Sequence, residues 1–213
     1  IQLGVGGWQP ASALEVDEKK YGDCKALTNY TQALMSSVGI ESLYSIIQAG
    51  TKDHPIDPAK VYNQFNHVIL CIPFSGDTTW LECTSSNYPF GFIGDFTDNR
   101  YALVANENNS KLVKTKVYTS SDNLQTRKSI LKLNEEGGLI GELKASYHDV
   151  KIDERFMQID EQLSEQKDNL YRELHINGMN INHLKYKFID SIHPCINENV
   201  NFDIRKYAST TAT

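Results

Sequence analysis

Three residues far apart in the chain are of the types that cysteine-based acyl transfer needs: Cys24, His67 and Glu82. In that chemistry a thiolate attacks, an imidazole moves the proton, and a carboxylate orients the imidazole. Cys24 follows Tyr21-Gly22-Asp23 and opens a run in which Leu27, Tyr30, Thr31, Leu34, Met35 and Val38 recur at helical spacing. Gly39 ends that run. Asp23 is suited to cap the helix, its carboxylate accepting from a free first-turn amide. Cys24 then takes the first helical position, where unpaired N–H groups and the macrodipole favour an anion and lower a thiol pKa. On spacing alone, a buried and inert cysteine is the commoner reading of such a position.

His67 and Glu82 change the odds. They belong to two runs rich in β-branched and aromatic residues, 65–72 and 78–84, joined by Pro73-Phe74-Ser75-Gly76. A four-residue hairpin loop closing Ile72 against Asp77 pairs Cys71 with Thr78, Ile69 with Trp80, and His67 with Glu82. Directly opposed side chains lie roughly 4.5–5.5 Å apart at Cβ, so the carboxylate reaches the imidazole. The competing reading is an ordinary surface pair of little energetic consequence. Cys71 falls on the face of His67 and reads as packing near the site; Cys83 falls on the other face.

The order of helix cysteine, strand histidine and strand acid resembles the transglutaminase-like superfamily, which shares its layout with papain-type proteases. Tyr-Gly-Asp-Cys-Lys-Ala-Leu is similar to its cysteine motif, Phe-Asn-His-Val to its histidine motif, and Trp-Leu-Glu-Cys-Thr-Ser to its acid motif. Gly-Gly-Trp-Gln-Pro before the cysteine and Asn-Tyr-Pro-Phe-Gly after the acid resemble the Bacteroidetes-type proteins of that superfamily. The acid there is usually Asp, and here it is Glu82. The resemblance spans residues 1–105. It implies an α+β fold with a cysteine helix packed on an antiparallel sheet, the catalytic set Cys24, His67 and Glu82, no cofactor, and a peptide or protein carboxamide as substrate. It also implies a piece of a longer, exported, periplasmic or cell-surface protein.

An acyl-transfer cysteine needs donors for the oxyanion, commonly a backbone N–H plus a side chain. The Gln9 amide and the Trp8 indole are the candidates, since papain-type enzymes use Gln and transglutaminases use Trp. Trp8 as a core anchor and Gln9 as a turn residue is the equally weighted alternative.

Composition narrows the classes. The net charge is −6 and no Lys/Arg cluster is present to track phosphates, which argues against nucleic acid as partner. No uncharged apolar run approaches bilayer length, so no membrane segment is expected. The glycines at 4, 6 and 7 lack phosphate-binding spacing, and no calcium-loop pattern occurs. A metal site from His54, His67, Cys71 and Glu82 matches no common ligand spacing and leaves the helix-start cysteine unexplained. His54 is otherwise a fallback base.

Along the chain, Glu15 to Lys20 reads as a charged, solvated lead-in, and 43–49 as a strand. Asn66 reads as serving the backbone, and the aromatic turns over 85–96 as walling the cleft. The polar run 105–110 is expected to link the core (1–105) to a β-rich domain (106–213). In that second part 111–118, 125–133, 139–147, 181–188 and 200–207 read as strands, and Ile152, Phe156, Ile159, Leu163 and Leu170 mark one amphipathic helix over about 151–173. The expected function is amide or peptide hydrolysis by Cys24. An amine acceptor in place of water makes it a transglutaminase, and a binding or assembly module that keeps the fold without turnover is the non-enzymatic alternative.

Overall fold

The computed structural model describes residues 7–50, 55–75, 77–189 and 193–209. The protein is α+β and divides into two compact units, Ile1–Tyr118 and Thr119–Thr213. No helix among the described residues is long and apolar enough to cross a membrane.

The first unit is built on a five-stranded antiparallel sheet in the order β3-β2-β1-β4-β5. Its strands are β1 (Leu43–Ile47), β2 (His67–Phe74), β3 (Asp77–Leu81), β4 (Tyr101–Val104) and β5 (Lys111–Lys114). Strand β2 is buried at six consecutive positions from His67 to Ile72, as a strand covered on both faces must be. Its Ile69, Leu70 and Ile72 are almost fully sequestered, each contributing about 1.5–3 kcal/mol. Helix α2 (Cys24–Ser37) packs on β1 and β2. It ends where Gly39 takes φ +77°, a conformation a side chain would strain.

Four expectations are corrected in this unit. The lead-in is helix α1 (Ala13–Lys19), capped by Ser12, braced by Lys19–Glu15, and packed on α2 through buried Val16 and the Tyr30 hydroxyl, which donates to Asp17. The β2–β3 ladder pairs Phe74 with Asp77, Ile72 with Thr79 and Cys71 with Trp80, two residues tighter than the expected hairpin. Pro73 and Phe74 are exposed strand residues rather than loop, because a proline at a strand end need not donate to the ladder. The polar run 105–110 is no interdomain linker. It is the turn between β4 and β5, closed by Ser110 bonding both the N–H and the carbonyl of Asn106. The units therefore divide after Tyr118, not after residue 105.

The second unit has a four-stranded antiparallel sheet in the order β6-β7-β9-β8. Its strands are β6 (Gln125–Leu133), β7 (Leu139–His148), β8 (Met179–Ile189) and β9 (Cys195–Ile204). Strand β9 begins and ends earlier than the expected 200–207. One face of the sheet carries the core, with Leu143, Ile181, Val200 and Phe202 buried against Leu170 of α5 (Leu163–Leu174). The Phe202 ring lies where a side chain at Gly141 would be, so any larger residue there would have to displace that ring. The single helix expected over 151–173 is two helices. After a 3-10 turn (Asp149–Ile152), α4 (Asp153–Ile159) stops and α5 restarts with a capping box between Gln162 and Glu165. The Gln166 amide donates to the carbonyls of Gln158, Ile159 and Glu161, satisfying the end of α4.

Candidate active site

Cys24 is the first residue of α2. Asp23 precedes it in extended conformation, and its Oδ1 accepts from the Ala26 N–H at 2.9 Å while its carbonyl accepts from Leu27. Those two bonds leave the amides of Cys24 and Lys25, at the first two helical positions, without an intrahelical acceptor. The Lys25 amide adds a smaller lowering influence on the Cys24 thiol. The helix start is thus an anion-favouring end with the thiol placed on it.

His67 opens β2, paired with Ile47 of β1. Glu82 lies one residue past β3. Continuing the observed register places Glu82 opposite Ile69, so His67 and Glu82 are diagonal neighbours on one face rather than opposed. A two-residue shift keeps the face, because side chains alternate with a period of two. It does lengthen the span, diagonal partners being about 7–8 Å apart. The extra methylene of Glu over Asp suits that longer reach. Both carboxylate oxygens face His67 Nε2, Oε2 at 2.9 Å and Oε1 at 3.1 Å. The pair is largely buried, with side-chain exposures of 8% and 3%. Thr84 fixes the other side of the carboxylate: its N–H donates to Oε1 at 3.0 Å and its hydroxyl donates to the same oxygen.

The electrostatics follow from these contacts. The neighbouring His67 ring pulls the Cys24 thiol below its ordinary value, while burial and the nearby Asp23 charge oppose that. Burial works against the charged form of His67, but Cys24 and Glu82 outweigh it and hold the imidazole at about 9. Burial also opposes ionisation of Glu82, and the bonds from His67 and Thr84 prevail to keep its carboxyl below the usual range. An ionised carboxylate only accepts, so Nε2 carries hydrogen and Nδ1 is left for the sulfur. The other three cysteines behave oppositely. Burial pushes up Cys71, Cys83 (to about 11) and Cys195, and all four are free.

Cys24 and His67 open onto a cleft of about 990 Å³, also lined by Trp8, Tyr21, Asn66 and Phe96. Trp8 is 59% exposed, so its indole reaches the cleft and is no core anchor. Gln9 is exposed and is not among the described lining residues. The Lys25 ammonium donates to the Gly7 carbonyl and so ties the Trp8 segment to the start of α2. Asn66 serves the backbone: its amide bonds both the N–H and the carbonyl of Ala49. Of the aromatic stretch 85–96, Phe96 alone lines the cleft among the described residues. It meets the His67 ring edge-on with centroids 5.2 Å apart. His54 lies outside the described residues, and no group of three or more described His, Cys, Asp or Glu is arranged to hold a metal.

Sequence reasoning missed Thr84 and Arg100, and reached Phe96 only as part of the aromatic stretch 85–96. The Arg100 guanidinium donates to the carbonyls of Gln48, Gly50 and Asp95, and the Gly50 N–H donates to the Phe96 carbonyl. Together they hold the short helix α3 (Gly94–Thr97), and with it Phe96, beside the exit of β1. Thr84 was detectable as a hydroxyl two residues past the acid, a spacing at which Thr commonly bonds locally. No protein-family model, curated protein or solved structure matches the chain.

Proposed function

We propose that the first unit is a transglutaminase-like core acting as a cysteine amide or peptide hydrolase. The observation that carries this reading is that the Cys24 thiol and the His67 imidazole line one cleft, the thiol lowered and the imidazole raised by each other, while His67 Nε2 bonds a buried Glu82. A cysteine helix packed on an antiparallel sheet, with the histidine and the acid on adjacent strands, supports the family reading.

In this mechanism the Cys24 thiolate attacks the substrate carboxamide carbon. The oxyanion is met by the Cys24 and Lys25 amides and the Trp8 indole. His67 gives its proton to the leaving amine as the tetrahedral intermediate collapses to a thioester. His67, neutral again, takes a proton from water, whose hydroxide attacks the thioester, and the thiolate and imidazolium are restored as the acid leaves. The open, broad cleft favours water over an amine as the acceptor. The test is turnover of a peptide-amide library by wild type and Cys24→Ala, with and without a primary-amine donor. Amide cleavage that needs Cys24 and is unaffected by amine is the expected result. Amine incorporation makes the protein a transglutaminase. No turnover, together with a Cys24 thiol that titrates normally, leaves the non-catalytic binding module.

A further inference from the structure

The sheet of the second unit ends in a strand, β6, that meets α5 through the Arg127–Glu173 pair near its start and is otherwise open. All nine residues of β6 are exposed, although β6 pairs with β7 at nine consecutive positions with no register shift. Helix α5 packs over β8, at the opposite edge, and meets β6 through the Glu173–Arg127 pair, leaving the Leu131–Leu133 end of the core face bare among the described residues. On that face Leu131 and Leu133 are each more than half exposed, beside Gly141 and the buried Leu139 of β7. On the other face Lys128 and Lys132 alternate with Ile130. Lys128 stands directly opposite Lys144, a like-charge pairing that costs stability. Lys144 is held by Glu142 at 2.8 Å, whereas neither Lys128 nor Lys132 meets a carboxylate among the described residues.

Lysine on an edge strand is ordinarily a guard against pairing. A guard alone does not account for three large aliphatics left exposed on the same strand. We propose that β6 is the docking edge for an extended segment of a partner protein that alternates acidic and apolar residues and adds as a fifth strand. Its acidic side chains meet Lys128 and Lys132, its apolar ones extend the surface of Leu131 and Leu133, and its backbone fills the free edge. A second copy of this chain fits less well, because β6 carries Arg127, Lys128 and Lys132 and no carboxylate.

The test uses the full chain and blocked nine-residue peptides, with binding read by fluorescence anisotropy and the contact mapped by amide hydrogen exchange. The probes are an alternating Glu/Val peptide, its scrambled isomer, and an alternating Lys/Val peptide. The alternating acidic peptide is expected to bind, to protect the amides of 125–133, and to bind about tenfold more weakly to Lys128→Glu/Lys132→Glu. That variant is expected to gain affinity for the Lys/Val peptide instead. Equal binding of the scrambled peptide, protection elsewhere, or no binding of the acidic peptide overturns the proposal. So does a dimer in sedimentation that the double substitution changes, which makes a second copy the occupant.

Discussion

At the scale of single residues, one contrast governs the site: four free cysteines, of which only Cys24 is pulled down, and one buried histidine held up. The thiolate and imidazolium coexist below about pH 9, where His67 loses its proton, and down to the lowered pKa of Cys24. Alkylation of Cys24 by iodoacetamide is therefore expected to hold a plateau through neutral pH and to change slope near pH 9. In His67→Ala the plateau disappears and the rate rises only towards the ordinary thiol range, about 8.5. Glu82→Gln removes the carboxylate that helps raise His67, so the alkaline edge moves below 9 and turnover falls about 10²–10⁴-fold. The sign for stability is also defined. His67, raised from 6.5, stabilises the fold fully below 6.5 and loses that contribution as pH climbs through about 9. Glu82, lowered from 4.5, contributes above 4.5 and fades as pH falls. Urea midpoints of wild type and Glu82→Gln are thus expected to differ most between pH 4.5 and 6.5 and to converge as the solution turns alkaline.

At the scale of elements, the helix that presents Cys24 rests on its cap, and the cap has two separable effects. The Asp23 carboxylate satisfies the Ala26 N–H, while its charge raises the Cys24 pKa. Asp23→Asn keeps an equally good cap without the charge, so the thiol is expected to titrate lower with stability unchanged. Asp23→Ala loses the bond and costs about 1 kcal/mol, read from the denaturant midpoint. This helix was legible because cap, apolar period and terminal glycine agree over a short local stretch. The hairpin behind His67 was legible only in part. Its two strands and shared face follow from composition and alternation, but Pro73 reads as a loop residue, and the ladder in fact runs past it to Phe74 and Asp77. Glu82 in place of Asp looked like a departure from pattern. The observed register makes the longer side chain the one that spans the diagonal. The break between α4 and α5 hid in a run whose apolar residues stay in phase, and only the Gln162/Glu165 box betrays it.

At the scale of the whole molecule, the residues least legible in the sequence are those whose partners are farthest apart. Arg155 reads as one more charge on the outer face of an amphipathic helix, yet it is 3% exposed. Its guanidinium donates to the Tyr147 hydroxyl at 2.9 Å and pairs with Glu173 and with Glu198, the latter itself 1% exposed. Arg127 reaches the same Glu173, so one network joins β6, β7, α4, α5 and β9. No local period encodes such a set; only the packed sheet assembles it. Taking two charges out of water is offset by their mutual attraction and by the Tyr147 bonds, and removing one partner leaves the other buried and unpaired. Arg155→Met and Glu198→Leu are each expected to destabilise by about 3–5 kcal/mol. The double substitution is expected to cost well below the sum, because it leaves no orphaned charge in the core and Glu173, one-third exposed, can turn to solvent. Urea unfolding of the full chain, followed by hydrogen exchange of β7 and β9 amides, measures the cycle. Additive costs would mean that the two charges contribute independently to this unit, and that packing around Tyr147 rather than the ion pair holds α4 against the sheet.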